Sequence, residues 1–252
     1  LGISVLTAGL IQLILNFSVV VYFGIFPKLT LTFDRKILNS FFNKFIPAIF
    51  AAGVYQLNVL VDTIFASFLV TGSPTWLYLS ERLIQFPLGL FGVAVALVSL
   101  PNLTELFLKK DMRQISSHSF KILRVLFLMG FGCFLGAYFF GEYIIEVLFS
   151  RGEFSSFDVG MTFLALQGYA ISLIFLLPQK YFNSLFFAIS KTNMVVYTGL
   201  LSLFANLVLN YYFIFLMDLS HYGLALATSI SSIIVFFVSL YWLFSKKILM
   251  VF

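Results

Sequence analysis

The sequence predicts an all-α, polytopic membrane protein, and three observations carry that prediction. Of its 252 residues, 61% are hydrophobic and only 10% charged, whereas a soluble domain carries about 25% charged residues. The mean hydropathy is +1.05, and the apolar residues fall into runs that each reach the ~20 residues a bilayer requires. The basic residues, finally, are concentrated in alternate connections between those runs. Short segments of alternating hydrophobicity, the mark of a membrane β-barrel, are not the pattern here.

In chain order the runs are 2–26, 43–70, 75–108, 120–149, 159–189, 193–217 and 222–244, which predicts about seven transmembrane helices. The first has no basic residue before it, is too long for a signal peptide, and lacks a small-residue cleavage site ahead of its charged exit. Because the chain opens at Leu1 and not at methionine, it reads as part of a longer protein. Its single cysteine, Cys133, lies in an apolar run and reads as a small packing residue.

Charge sets the expected orientation. One set of connections holds Lys28, Arg35, Lys36 and Lys44; then Lys109, Lys110, Arg113, Lys121 and Arg124; then Lys191; then Lys246 and Lys247. The alternate set holds Arg151 as its only basic residue, with Glu142, Glu146, Glu153, Asp158 and Asp218. Positive connections stay in the cytoplasm, so the C-terminus is expected inside and Leu1 outside. A net charge of +5 then reflects loop bias and not nucleic-acid binding.

Few polar groups interrupt the apolar runs. Glu81 and Arg82 head the segment Trp76-Leu-Tyr-Leu-Ser-Glu81-Arg82-Leu-Ile-Gln85-Phe-Pro87-Leu-Gly89-Leu-Phe-Gly92. An arginine facing lipid costs roughly 2.5 kcal/mol or more, so it should face protein or a watery cavity. The proline and glycines just after it should loosen the helix and favour a ligand site between helices. Asp62 lies in mid-span and must be protonated, paired or bound to a cation. Asn206 and Asn210 are one turn apart on one helix face, and Thr228 is a further oxygen donor on the last span. Carboxylate, amide and hydroxyl oxygens suit a small hard cation and not zinc or copper; plain interhelical hydrogen bonding is the alternative. Lys180 could snorkel to the interface or join a cavity, with snorkelling favoured. Gly132 and Gly136 match a small-xxx-small packing motif. His118 and His221 fall in loops without partners at ligand spacing, and Trp76, Tyr78, Tyr241 and Trp242 read as interface anchors.

Four blocks together resemble the lipid II flippases, the MurJ/MviN family of the multidrug/oligosaccharidyl-lipid/polysaccharide exporter superfamily. They are Leu60-Val-Asp62-Thr-Ile-Phe-Ala-Ser-Phe-Leu69, the Trp76–Gly92 block continuing to Leu100-Pro-Asn-Leu103, Glu146-Val-Leu-Phe-Ser-Arg151-Gly-Glu-Phe154 with Asp158, and Asn206–Asn210 with His221-Tyr-Gly-Leu-Ala-Leu-Ala-Thr-Ser229. The resemblance implies an alternating-access transporter built of two six-helix lobes. By that mapping residues 1–36 are the last helix of the N-terminal lobe and a cytoplasmic linker, and residues 37–252 are the exporter-type six-helix C-terminal lobe. The substrate implied is lipid II, an undecaprenyl-pyrophosphate-linked disaccharide peptide, carried across the bacterial cytoplasmic membrane.

The family's cavity arginine maps onto Arg82, with Glu81 and Gln85 beside it as substrate-binding residues. A guanidinium suits phosphate oxygens because it can bind them bidentately. The family's sodium site maps onto Asp62, Asn206, Asn210 and Thr228, with Leu224 adding a main-chain carbonyl, so sodium is the implied ion and no other cofactor is expected. Gln85 stands where the family often has glutamate, and Asn210 where it often has a carboxylate, leaving Asp62 as the only formal anion of the ion site. The N-terminal lobe, needed for activity, is outside this sequence.

The leading functional expectation is therefore part of a lipid II flippase, not an enzyme, coupled to sodium or to membrane potential. A drug or polysaccharide exporter of the same superfamily is the first alternative. A non-transporting membrane scaffold is the second, and the retention of Asp62 and Arg82 argues against it.

Overall fold

In hydrocarbon every backbone N–H and C=O must find a partner within its own segment, so long apolar runs become helices. The computed structural model describes residues 2–24 and 35–249, and every regular element in them is helical. Residues 25–34 with Lys28, and the side chains of Lys36 and Lys44, lie outside the described residues, so that part of the linker reading is not addressed.

Two compact units divide the chain, Leu1–Lys44 and Phe45–Phe252. The first contains helix α1, Gly2–Tyr22, whose apolar stretch Leu6–Tyr22 is exposed along its length. Helix α2 runs Arg35–Ser67. The second unit continues with α3 (Ser73–Pro87), α4 (Ala94–Leu108), α5 (Met112–Phe149), α6 (Ser156–Ala170), α7 (Ser172–Ala188), α8 (Thr192–Tyr211) and α9 (Ser220–Ser245).

Helices α3 and α4 form one 36-residue rod, Ser73–Leu108, joined through a π-helical stretch at Leu88–Val93. That stretch follows Pro87 and contains Gly89 and Gly92, so the loosening expected just past Glu81 and Arg82 is observed. A second π-helical stretch, Tyr212–Leu216, extends α8 beyond Asn210. Among the described residues four rods are long and apolar enough to cross a membrane, or five when α6 and α7 count as one. Of the other two expected spans, α1 carries a shorter apolar stretch, Leu6–Tyr22, and α2 is not among the rods that meet this test over the described residues.

The expected span at 159–189 is not straight: α6 and α7 meet at a 48° bend. Ser172 Oγ donates to the Tyr169 carbonyl at 2.6 Å, competing with the main-chain ladder where it breaks.

Packing pairs α8 with α9, α5 with α6 and α7, α3 with α6, and α4 with α7. Serine hydroxyls stitch the rods together. Ser80 Oγ donates to the Thr162 carbonyl at 2.7 Å, Ser184 Oγ to that of Ala96 at 2.7 Å, and Ser229 Oγ to that of Gly168 at 2.6 Å. Such interhelical bonds contribute about 0.6 kcal/mol each in a membrane. The outer surface is the reverse of a soluble protein's, with Val98 79% and Phe139 69% exposed.

Two packing expectations need correction. A Cβ at Gly132 or Gly136 would meet nothing within 4 Å, so among the described residues that motif packs against no helix; a Cβ at Gly130 would lie 2.8 Å from the Leu173 carbonyl oxygen. Glycine at 130 is what lets α5 and α7 approach backbone to backbone. Trp76 is no lipid-facing anchor: it is 3% exposed, its indole N–H donates to Asp158 Oδ1 at 2.9 Å, and its ring lies 5.1 Å from that of His221. His221 belongs to α9 and not to a loop; its Nε2 is 2.9 Å from the Met161 carbonyl oxygen. His118 likewise lies within α5.

Candidate functional site: a polar ring beside a membrane-embedded cavity

Five residues from three helices converge in the second unit. Asp62 comes from α2, Asn206 and Asn210 from one face of α8, and Leu224 and Thr228 from one face of α9. Asn210 Nδ2 donates to Asp62 Oδ1 at 2.7 Å and to Asn206 Oδ1 at 2.9 Å. Asn206 Nδ2 donates in turn to Thr228 Oγ1 at 3.1 Å. Thr228 Oγ1 closes the ring, 3.4 Å from Asp62 Oδ2 and 3.2 Å from the Leu224 carbonyl oxygen.

The four-residue spacings explain the convergence. Asn206 and Asn210, like Leu224 and Thr228, are one helical turn apart and therefore neighbours on their own helices. Packing of α8 on α9 brings the two pairs together. Asn210 and Asn206 are 0% and 2% exposed, so an amide there needs partners. Asn210 Oδ1 nevertheless has none among the described residues. A buried carbonyl oxygen without a donor, next to a carboxylate, a hydroxyl and a main-chain carbonyl, is a hard-oxygen environment that fits a small cation. No group of three or more His, Cys, Asp or Glu forms a metal cluster among the described residues. The ring contains one carboxylate, Asp62.

Asp62 also faces a cavity of about 320 Å³, which Asn58, Glu81, Gln85, Gln179 and Lys180 help to line. Lys180 thus joins the cavity; the expected snorkelling is not observed. The sequence leaves both placements open, since side-chain length permits snorkelling and periodicity does not say which face of α7 turns inward. Gln179, beside it, donates to Asn183 Oδ1 and Ser239 Oγ, each at 3.1 Å. A second cavity of about 360 Å³ touches Asp62, Tyr78, Glu81 and Tyr169 from the side of the turn between α2 and α3.

The expected substrate residues divide. Glu81 and Gln85 line the cavity of about 320 Å³ and are tied together, Gln85 Nε2 donating to Glu81 Oε1 at 2.8 Å. Arg82 is on the exposed face of α3 and lines neither cavity. Its Nη1 donates to Gln85 Oε1 at 2.9 Å, and its guanidinium stacks over the Tyr78 ring, 4.7 Å from the centroid. Cation, amide and anion thus form one short chain, Arg82–Gln85–Glu81, that leads from an exposed helix face to the cavity wall.

This bundle, with a polar ring among its helices and a cavity at its side, has the fold of membrane transporters of the multidrug-exporter type. An outward-facing MATE transporter is similar at a TM-score of 0.71 and 17% identity, over 80% of this chain and 44% of that one, which speaks for the fold alone. Across residues 1–252 the sequence matches the family described as Lipid II flippase MurJ, and the chain belongs to that family. Probable lipid II flippases MurJ of Vibrio cholerae and Haemophilus influenzae are 32% and 30% identical over 92% of this chain. The chain spans about half the length of the curated relatives it matches, 44% and 46% for these two. A solved structure of a lipid II flippase MurJ in an inward closed conformation is similar at a TM-score of 0.71 and 28% identity, over 86% of this chain and 45% of that one.

Proposed function

We propose that this chain is the cation-binding, C-terminal lobe of a lipid II flippase, residing in the bacterial cytoplasmic membrane with its Lys/Arg-rich turns and C-terminus inside. The observation that carries the reading is the closed ring Asp62–Asn210–Asn206–Thr228, whose Asp62 and Thr228 line a cavity shared with Glu81 and Lys180. A lone carboxylate in mid-membrane is costly, and a scaffold gains nothing from keeping it. A transporter gains a site whose occupancy can bias one arrangement of helices over another.

Sodium is the ion proposed. Asp62 supplies the charge, Asn206, Asn210 and Thr228 supply neutral oxygens, and Leu224 a main-chain carbonyl. Arg82 is the proposed contact for the pyrophosphate of the lipid-linked substrate. It offers a planar fork of donors held in place by Tyr78 and Gln85. Glu81 and Gln85 fix that guanidinium and carry its position to the cavity wall. Transport itself requires the partner lobe, because alternating access is a movement of one lobe against another.

The test is complementation. Cells depleted of their own lipid II flippase should grow when supplied with the complete protein that contains this lobe, and should stop growing with Arg82→Ala although the variant still reaches the membrane. Undiminished growth with Arg82→Ala would overturn the substrate role.

A further inference from the structure

The ring is not the only oxygen-rich level in the cavity. Asp62 meets Asn210 while Val54 meets Gly199, so α2 and α8 run the same way; Asn206 meets Thr228 while Phe213 meets Gly223, so α9 runs opposite. One turn from the ring, moving toward the Lys191 end, therefore means four residues back on α2 and α8 and three or four forward on α9. Those positions are Asn58, Ser202, Ser231 and Ser232, and all four line the same cavity of about 320 Å³ as Asp62 and Thr228. The register is tight between α2 and α8 at this level, for a Cβ at Gly199 would lie 3.2 Å from Val54 Cγ1.

The hydrogen bonding of this tier is one-sided. Asn58 Nδ2 lies 3.5 Å from the Val54 carbonyl oxygen, while Asn58 Oδ1 is buried and has no partner among the described residues. Ser231 Oγ donates to the Thr228 carbonyl at 2.9 Å and Ser232 Oγ to that of Ser229 at 2.7 Å. With their hydrogens used on their own helix, both hydroxyls offer only lone pairs. Asn58 Oδ1 and the Ser231 and Ser232 hydroxyls are thus left as acceptors, which suit a cation or a strong hydrogen-bond donor.

We infer that Asn58, Ser202 and Ser231 form a second position for a monovalent metal cation, one helical turn from the Asp62 ring. It is a step between the ring and the Lys191 end of the bundle. Neutral oxygens alone hold an ion more weakly than a set with a carboxylate, which is what a passing site needs: favourable enough to enter, weak enough to leave. The inference rests on the proposed cation role of the Asp62 ring, whose occupant it would supply or receive.

Thallium(I), a heavy stand-in for alkali cations, locates such positions directly. Crystals of the 252-residue chain soaked in thallium(I) should show two anomalous peaks, one at the ring and one bounded by Asn58, Ser202 and Ser231. Asn58→Ala and, separately, Ser202→Ala should abolish the inner peak. Each should leave the ring peak in place and change sodium affinity there by less than about threefold, since the altered oxygens belong to another level. A peak at the ring alone in the unaltered chain would overturn the second position while leaving the ring reading intact. An inner peak that survives both substitutions would overturn the assignment to these residues. No peak at either level, together with no measurable sodium binding, would remove the ring reading and this inference with it.

Discussion

Asn210→Asp tests the electrostatics of the ring at its tightest contact. Asn210 Nδ2 donates to Asp62 Oδ1 at 2.7 Å and to Asn206 Oδ1 at 2.9 Å. The substitution deletes both donors and sets a second carboxylate against the first. Two formal charges about 4 Å apart repel by about 4 kcal/mol at an effective dielectric near 20. Proton uptake by one of them relieves part of this, so the expected loss without a bound cation is about 2–4 kcal/mol. For a domain of this size each kcal/mol moves the melting temperature by about 2–4 °C, giving a drop of roughly 5–15 °C. A sodium ion between the two carboxylates reverses the sign of the effect. The assay is thermal unfolding of the detergent-solubilised chain in sodium chloride and in choline chloride at equal ionic strength. The variant should melt well below the parent in choline and recover to it, or pass it, in sodium. Equal shifts in the two salts would refute the reasoning, because a merely structural defect has no reason to discriminate between the cations.

Three further predictions address the frame around the ring. Gly130→Ala should destabilise the bundle by about 1–3 kcal/mol, since its Cβ would lie 2.8 Å from the Leu173 carbonyl oxygen, whereas Gly132→Ala meets open space and should be tolerated; melting temperatures of the two variants decide this. Trp76→Phe, which removes the indole donor to Asp158 Oδ1 at 2.9 Å, should cost about 0.5–1.5 kcal/mol and leave sodium binding intact; thermal unfolding with a parallel sodium titration separates the two effects. In the complete protein Arg82→Lys should restore little of the growth lost in Arg82→Ala, because an ammonium keeps the charge but not the planar fork; full rescue in the depletion strain would show that charge alone suffices.

Fold and site were unequally legible from the sequence. Hydropathy alone located the rods, because in lipid the backbone leaves few options besides a helix. Pro87, Gly89 and Gly92 announced the π-helical stretch at Leu88–Val93, since proline removes a main-chain donor and glycine stiffens nothing. At the bend between α6 and α7, Gly168 and Pro178 only flank the break, where the Ser172 hydroxyl donates to the Tyr169 carbonyl. Spacing put Asn206 and Asn210 on one face, but nothing local connects them to Asp62 or Thr228; that convergence came from the family resemblance and is visible in the hydrogen bonds. Gly130 and Gly132 are equally small, and only the proximity of Leu173 and Ile174 distinguishes the one that packs. For Lys180 the sequence allows both snorkelling and the cavity and favours the first, because side-chain length permits it, whereas the residue lines the cavity.

Equilibrium binding of radioactive sodium to the purified chain tests the central claim most directly. The parent should bind sodium saturably, with unlabelled sodium competing and choline not, and Asp62→Asn should abolish that binding while the protein stays folded by its melting curve. Undiminished sodium binding by a folded Asp62→Asn variant would place the ion elsewhere and contradict the account.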